Sequence, residues 1–208
     1  MRKEIIIVSV LLLAVFIWAI ESHIKSPPSV EDVISSIENQ DSFCWRAELT
    51  DNLTKEEIFA CVNYKNQSAF WKVTSGNGNS LIRAFPGDEF YGLNWDLALH
   101  SKGVEWNVMN FAAWVLKEGT IDNVTHVSDN EYEIRATLRW VESYAVGTIE
   151  NGHIVRVKNE VIAFFRVNED GKLLGGRFIW KQGENCEGSE CQCKEKMGSF
   201  EVLGPWGG

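Results

Sequence analysis

The sequence predicts an α+β protein: an N-terminal membrane helix, then a curved antiparallel β-sheet forming an open half-barrel, with an N-terminal helix and a central helical insertion. Three observations predict it. An uncharged apolar run, Ile5 to Ile20, follows Arg2 and Lys3. Val30, Val33, Ile34 and Ile37 recur at helical spacing behind Ser29, a good N-cap. From Phe43 onward, short alternating apolar segments are separated by turn residues.

The apolar run reaches roughly 24 Å as a helix at ~1.5 Å per residue, slightly short of a ~30 Å hydrocarbon core. An uncleaved signal anchor and a cleaved signal peptide compete. The small residues a cleavage site needs are limited to Ala19 and Ser22, set among Trp18, Ile20 and Glu21, which favours the anchor. No cysteine closes the run, which argues against a bacterial-type lipid anchor. The positive-inside rule places Arg2 and Lys3 in the cytoplasm and the rest of the chain outside, as a single-pass cell-membrane protein. Residues 1–24 are then the anchor, 25–28 (with Pro27 and Pro28) a stiff linker, 29–182 an extracytoplasmic domain and 183–208 a Cys-rich tail.

Three features agree with that side of the membrane. Asn52, Asn66 and Asn123 each begin an N-glycosylation sequon. The five cysteines, Cys44, Cys61, Cys186, Cys191 and Cys193, suit an oxidising compartment. The formal net charge of −9 becomes −10 when Arg2, Lys3 and Glu4 are set aside. An acidic body disfavours nucleic acid and anionic headgroups as partners.

The domain opens with the Ser29 helix, whose first turn carries Glu31 and Asp32 toward the positive end of the helix dipole. A hairpin follows: Phe43 to Thr50 and Glu56 to Tyr64 flank a turn at 51–54. If Thr50 faces Lys55, Cys44 faces Cys61, and directly opposed Cβ atoms lie ~4.5–5.5 Å apart, within adjustment of a disulfide. Two ordinary buried thiols are the alternative. Strands are expected at Ala69 to Thr74, Ser80 to Phe85 and Glu89 to Leu93. Trp106 to Lys117 reads as a helix ending at Gly119. Strands then return at Ile121 to Val127, Glu131 to Val141, Ser143 to Ile149, His153 to Val167 and Lys172 to Trp180.

Nine tryptophans and 11 phenylalanines supply much aromatic surface. Trp71, Trp95, Trp106, Trp114 and Trp140 fall on strands or on the inserted helix. They either fill the core or line an apolar groove for a lipid-like ligand.

Val30 to Ile34 leading into Ser42 to Ala47, the strand pair through Tyr64 and Trp71, and Gly87 to Gly92 ahead of Trp95 form an ordered pattern. Over about residues 29 to 180 this pattern resembles the LolA/LppX-like lipoprotein-carrier fold and its membrane-anchored archaeal relatives. The resemblance implies an unclosed barrel with a helical lid that binds acyl chains, and hence a ligand-binding or carrier role. That family has no invariant catalytic signature, so no functional residue is carried over.

Cys186, Cys191 and Cys193 lie beside Glu184, Glu187 and Glu190. Their C-x4-C-x-C spacing matches no standard zinc or iron–sulfur pattern, and nearby carboxylates raise thiol pKa values. A loop tied by Cys186 to Cys191 or Cys193 is favoured. Metal binding and a covalent link between two copies are the alternatives.

No nucleophile elbow, zincin helix or phosphate loop is present, and His23, His100, His126 and His153 are isolated in sequence. Asp88, Glu89 and Asp96 near aromatics suggest a sugar site only weakly. The expectation is a non-catalytic, membrane-anchored envelope protein without a cofactor, acting in interaction or structure or binding an apolar ligand. A LolA-like carrier, or a metal protein through the tail cysteines, is the alternative.

Overall fold

Local capping chemistry starts the domain where the sequence places it. In α1 (Val30–Glu38), Ser29 Oγ accepts the Asp32 N–H at 3.1 Å and the Asp32 carboxylate accepts the Ser29 N–H at 3.3 Å. This capping box satisfies two otherwise orphaned donors. Val33 and Ile37 are the buried residues of α1, and each such aliphatic side chain contributes about 1.5–3 kcal/mol. The computed structural model describes residues 26–51, 53–128, 130–146, 153–184 and 193–206.

Strands β1 (Ser42–Thr50) and β2 (Lys55–Asn63) form the expected hairpin, with Thr50 opposite Lys55 and Cys44 opposite Cys61. The two cysteines are joined by a disulfide at a Cα–Cα distance of 4.0 Å. Two further strands, β3 (Ser68–Ser75) and β4 (Gly78–Ala84), extend the sheet outward. Two short helices follow, α2 (Tyr91–His100) and α3 (Val108–Glu118). The chain then runs through β5 (Thr120–Ser128), β6 (Glu131–Val146), β7 (His153–Asn168), β8 (Leu173–Glu184) and β9 (Cys193–Gly204).

All nine strands belong to one open antiparallel sheet in the order β4-β3-β2-β1-β9-β8-β7-β6-β5. Two runs of sequential strands thus meet at a seam, and β9 fills it, pairing with β1 on one side and β8 on the other. One face of the sheet makes the core. Phe43, Trp45, Ala47 and Leu49 of β1 are buried at alternate positions, as are Val161, Ala163, Phe165 and Val167 of β7, as period-2 strands require. On the helical side, α3 contributes Val108, Met109, Phe111, Ala112, Val115 and Leu116. A Lys117–Glu38 ion pair ties α3 to α1.

Several expectations are corrected. The α+β balance gives way to a predominantly β protein, with nine strands against three helices among the described residues. Among those residues no helix is long and apolar enough to cross a membrane. The N-terminal membrane helix of the predicted fold class, and the single-pass location built on it, are therefore without structural support; the run Ile5 to Ile20 lies outside the described residues.

The strand expected at Glu89 to Leu93 is instead a turn leading into α2. Asp88 closes that turn: its carboxylate accepts the Phe85 N–H at 3.2 Å, and its carbonyl accepts the Tyr91 N–H at 3.1 Å. Apolar residues surround α2 on all sides, so no helical stripe announces it. The pair of strands expected at 131–149 is one continuous β6 of 16 residues. The segment read as a tail, expected either to tuck back onto the domain through Phe200, Leu203, Pro205 and Trp206 or to serve as a docking peptide, supplies β9, with Phe200 buried in the core.

Candidate functional site

The five tryptophans named from sequence separate into distinct ring clusters. Trp71 is fully buried on β3, and its indole N–H donates to the Trp106 carbonyl at 2.9 Å, with the rings 5.7 Å apart. This pair pins the α2–α3 connection onto the sheet. Trp95 stacks on Tyr91 at 6.5 Å and meets Tyr64 edge-on at 6.2 Å. Both groups pack against the core.

Trp114 and Trp140 belong to a third cluster, completed by a residue the sequence reading did not name, Trp180. Ring centroids are 4.8 Å apart for Trp114–Trp140, 5.4 Å for Trp140–Trp180 and 6.4 Å for Trp114–Trp180. The register explains the cluster. Asn159 of β7 lies between Trp140 of β6 and Gln182 of β8, and Trp180 pairs with Val161 one rung away. Trp140 and Trp180 thus lie on the same face of the sheet on strands either side of β7, and their long rings meet over Asn159 and Val161. Trp114 reaches them from α3. Buried Asn159 accepts the Trp180 N–H at 3.2 Å, and Glu142 accepts the Trp140 N–H at 2.7 Å.

Trp180 also forms one wall of a cleft of about 510 Å³. Asp51, Leu53, Glu105, Gln182, Lys194, Glu195 and Lys196 complete its lining. Leu53 is 94% exposed. Above the cleft, Lys196 pairs with Glu105 of the α2–α3 connection at 3.4 Å. Asp51 shapes the hairpin turn: backbone N–H donors from Leu53 and Thr54, at 2.8 and 2.7 Å, hold its carboxyl below the usual carboxylate value. From the same connection, the Lys102 ammonium lies 4.9 Å over the Trp114 ring.

Asn107 holds the helical cover in place. It is fully buried and caps α3 by accepting the N–H groups of Met109 and Asn110 at 2.9 and 3.1 Å. Its amide group donates to the Tyr64 hydroxyl at 2.8 Å and to the Ala98 carbonyl at 2.7 Å. One side chain therefore joins α2, α3 and the β2–β3 turn.

A second cleft, of about 450 Å³, opens on the other face of the sheet between Arg46, Arg166 and Arg177. It carries a lattice of charge: Arg177 pairs with Glu133 at 3.4 Å and lies 4.5 Å from the Phe164 ring centroid.

The remaining residues named from sequence are scattered. Asn66 is exposed in the β2–β3 turn and Asn123 is exposed on edge strand β5, while Asn52 lies outside the described residues. Cys186 and Cys191 also lie outside them, and Cys193 begins β9. Among the described residues no group of three or more His, Cys, Asp or Glu is arranged to hold a metal ion. His100 lies 3.7 Å from Asp96, and His126 packs on Tyr132. Comparison with family models, curated proteins and solved structures finds no match for this chain.

Proposed function

We propose that this protein is a non-catalytic binding module for an amphiphilic ligand, held at the cleft beside Trp180. The observation that carries the reading is the continuity of the three-tryptophan cluster with that cleft through Trp180. Binding sites for small molecules combine an apolar wall with a few polar groups that fix orientation. Here the wall is Trp180 with Leu53, and the polar groups are Gln182, Lys194, Lys196 and Glu105. The lining carries both signs of charge, which suits a headgroup of mixed charge. The resemblance to LolA/LppX-like carriers supports the same class of ligand.

The test is calorimetric titration of the purified protein with single-chain dodecyl amphiphiles below their micellar concentration. Saturable binding with a negative heat-capacity change, lost in Trp180→Ala, supports the reading. Absence of saturable binding to any headgroup overturns it.

A further inference from the structure

We propose that the face of Trp114 now covered by Lys102 is the seat for a quaternary ammonium group, so that the amphiphile carries a choline-type head. This rests on the cleft reading above and adds the identity of the headgroup. An indole face attracts cations through its negative quadrupole, and such rings are the recurring means of recognising quaternary ammonium ligands. In this chain the ring already holds a cation of its own, because the Lys102 ammonium lies 4.9 Å from the Trp114 centroid.

Three further features favour a ligand cation over a permanent Lys102 contact. Lys102 is exposed and lies on the α2–α3 connection, outside both helices, so its ammonium leaves for water at small cost. Glu105, three residues beyond Lys102 on the same connection, lines the cleft and brings a carboxylate, paired there with Lys196, to the Trp180 end of the site. Trp114 touches Trp180, the cleft wall, at 6.4 Å between centroids, so a head on Trp114 and a chain along Trp180 belong to one short molecule. The body's net negative charge also draws a cationic group.

The test compares dodecylphosphocholine with its 3,3-dimethylbutyl isostere, in which a tert-butyl carbon replaces the quaternary nitrogen and the phosphate keeps its charge. Both are titrated into the full chain and into Lys102→Ala. Removing the ring's own cation is expected to tighten phosphocholine binding by roughly 2- to 5-fold and leave the isostere unchanged. The wild-type protein is expected to prefer phosphocholine by roughly 3- to 30-fold.

Equal affinity for the two ligands, with binding of both lost in Trp180→Ala, overturns the ammonium seat while leaving the cleft reading intact. Failure of both to bind overturns the two together. An unchanged phosphocholine affinity in Lys102→Ala overturns the placement on Trp114. Trp114→Phe keeps an aromatic face in the helical cover, and an intermediate loss of phosphocholine affinity there supports the seat.

Discussion

Cys44 and Cys61 face each other as a directly opposed pair across β1 and β2, and a disulfide joins them at a Cα separation of 4.0 Å. They are 17 residues apart in sequence, and a loop of that order contributes about 3 kcal/mol by restricting the unfolded chain. The Cys44→Ala/Cys61→Ala protein is expected to fold with the same hairpin register. Its melting temperature should fall by roughly 6–12 °C. Differential scanning calorimetry checks this; an unchanged Tm would show that the bond adds nothing to the stability of the hairpin.

Tyr64 sets a limit at alkaline pH. Burial pushes its phenol above the ordinary value of 10.0, and the hydrogen bond from Asn107 partly offsets that. The neutral phenol is the form the folded state favours. Its contribution is complete below pH 10 and is lost as pH rises through the raised value. Absorbance titration near 295 nm should show a tyrosine ionising above pH 10. Tyr64→Phe should remove that late step and flatten the alkaline decline in stability.

Asn107→Ala should cost about 2–4 kcal/mol. It removes the α3 cap and the donor to the Tyr64 hydroxyl, and it leaves the Ala98 carbonyl with Asn110 as its one side-chain donor. Denaturant unfolding measures it, and a loss below about 1 kcal/mol would mean that the helical cover does not depend on this side chain.

Gly175 permits close approach of β8 to β9. A Cβ there would lie 2.5 Å from the Phe200 carbonyl oxygen, a backbone atom that cannot swing aside. Gly175→Ala should destabilise the fold by about 1–3 kcal/mol. Gly76→Ala, in a turn where an added Cβ meets nothing within 4 Å, is the matched control and should change stability far less.

Much of this fold was legible in local pattern. The β1–β2 register followed from one turn, because pairing one pair of residues fixes every pair behind it. The Ser29 cap and the Trp106–Lys117 helix followed from spacing. What stayed hidden depended on distant partners. Lys194 to Val202 alternates weakly and is rich in charge, and it becomes a strand because β1 and β8 leave a slot for it. α2 was hidden because its apolar residues favour no single face. Trp180 closes an expected strand, where alternation gives it no partner. Its i, i+2 relation to buried Phe178 was the one available sign that it shares the core-facing side. The ring clusters could not be read at all, since rings that meet across an intervening strand need the register of β6, β7 and β8 together.

The seam strand bears on how the molecule is made. The edges of β1 and β8 that flank the seam are each completed by a segment that follows all eight other strands in the chain. During synthesis both edges stand unpaired until β9 has been produced, and unpaired edges template aggregation. β1 waits longest, with 142 residues between its end and the start of β9, a span that slows closure through loop entropy. Delay or error late in translation should therefore be far more damaging to yield than equal disturbance in the middle of the chain.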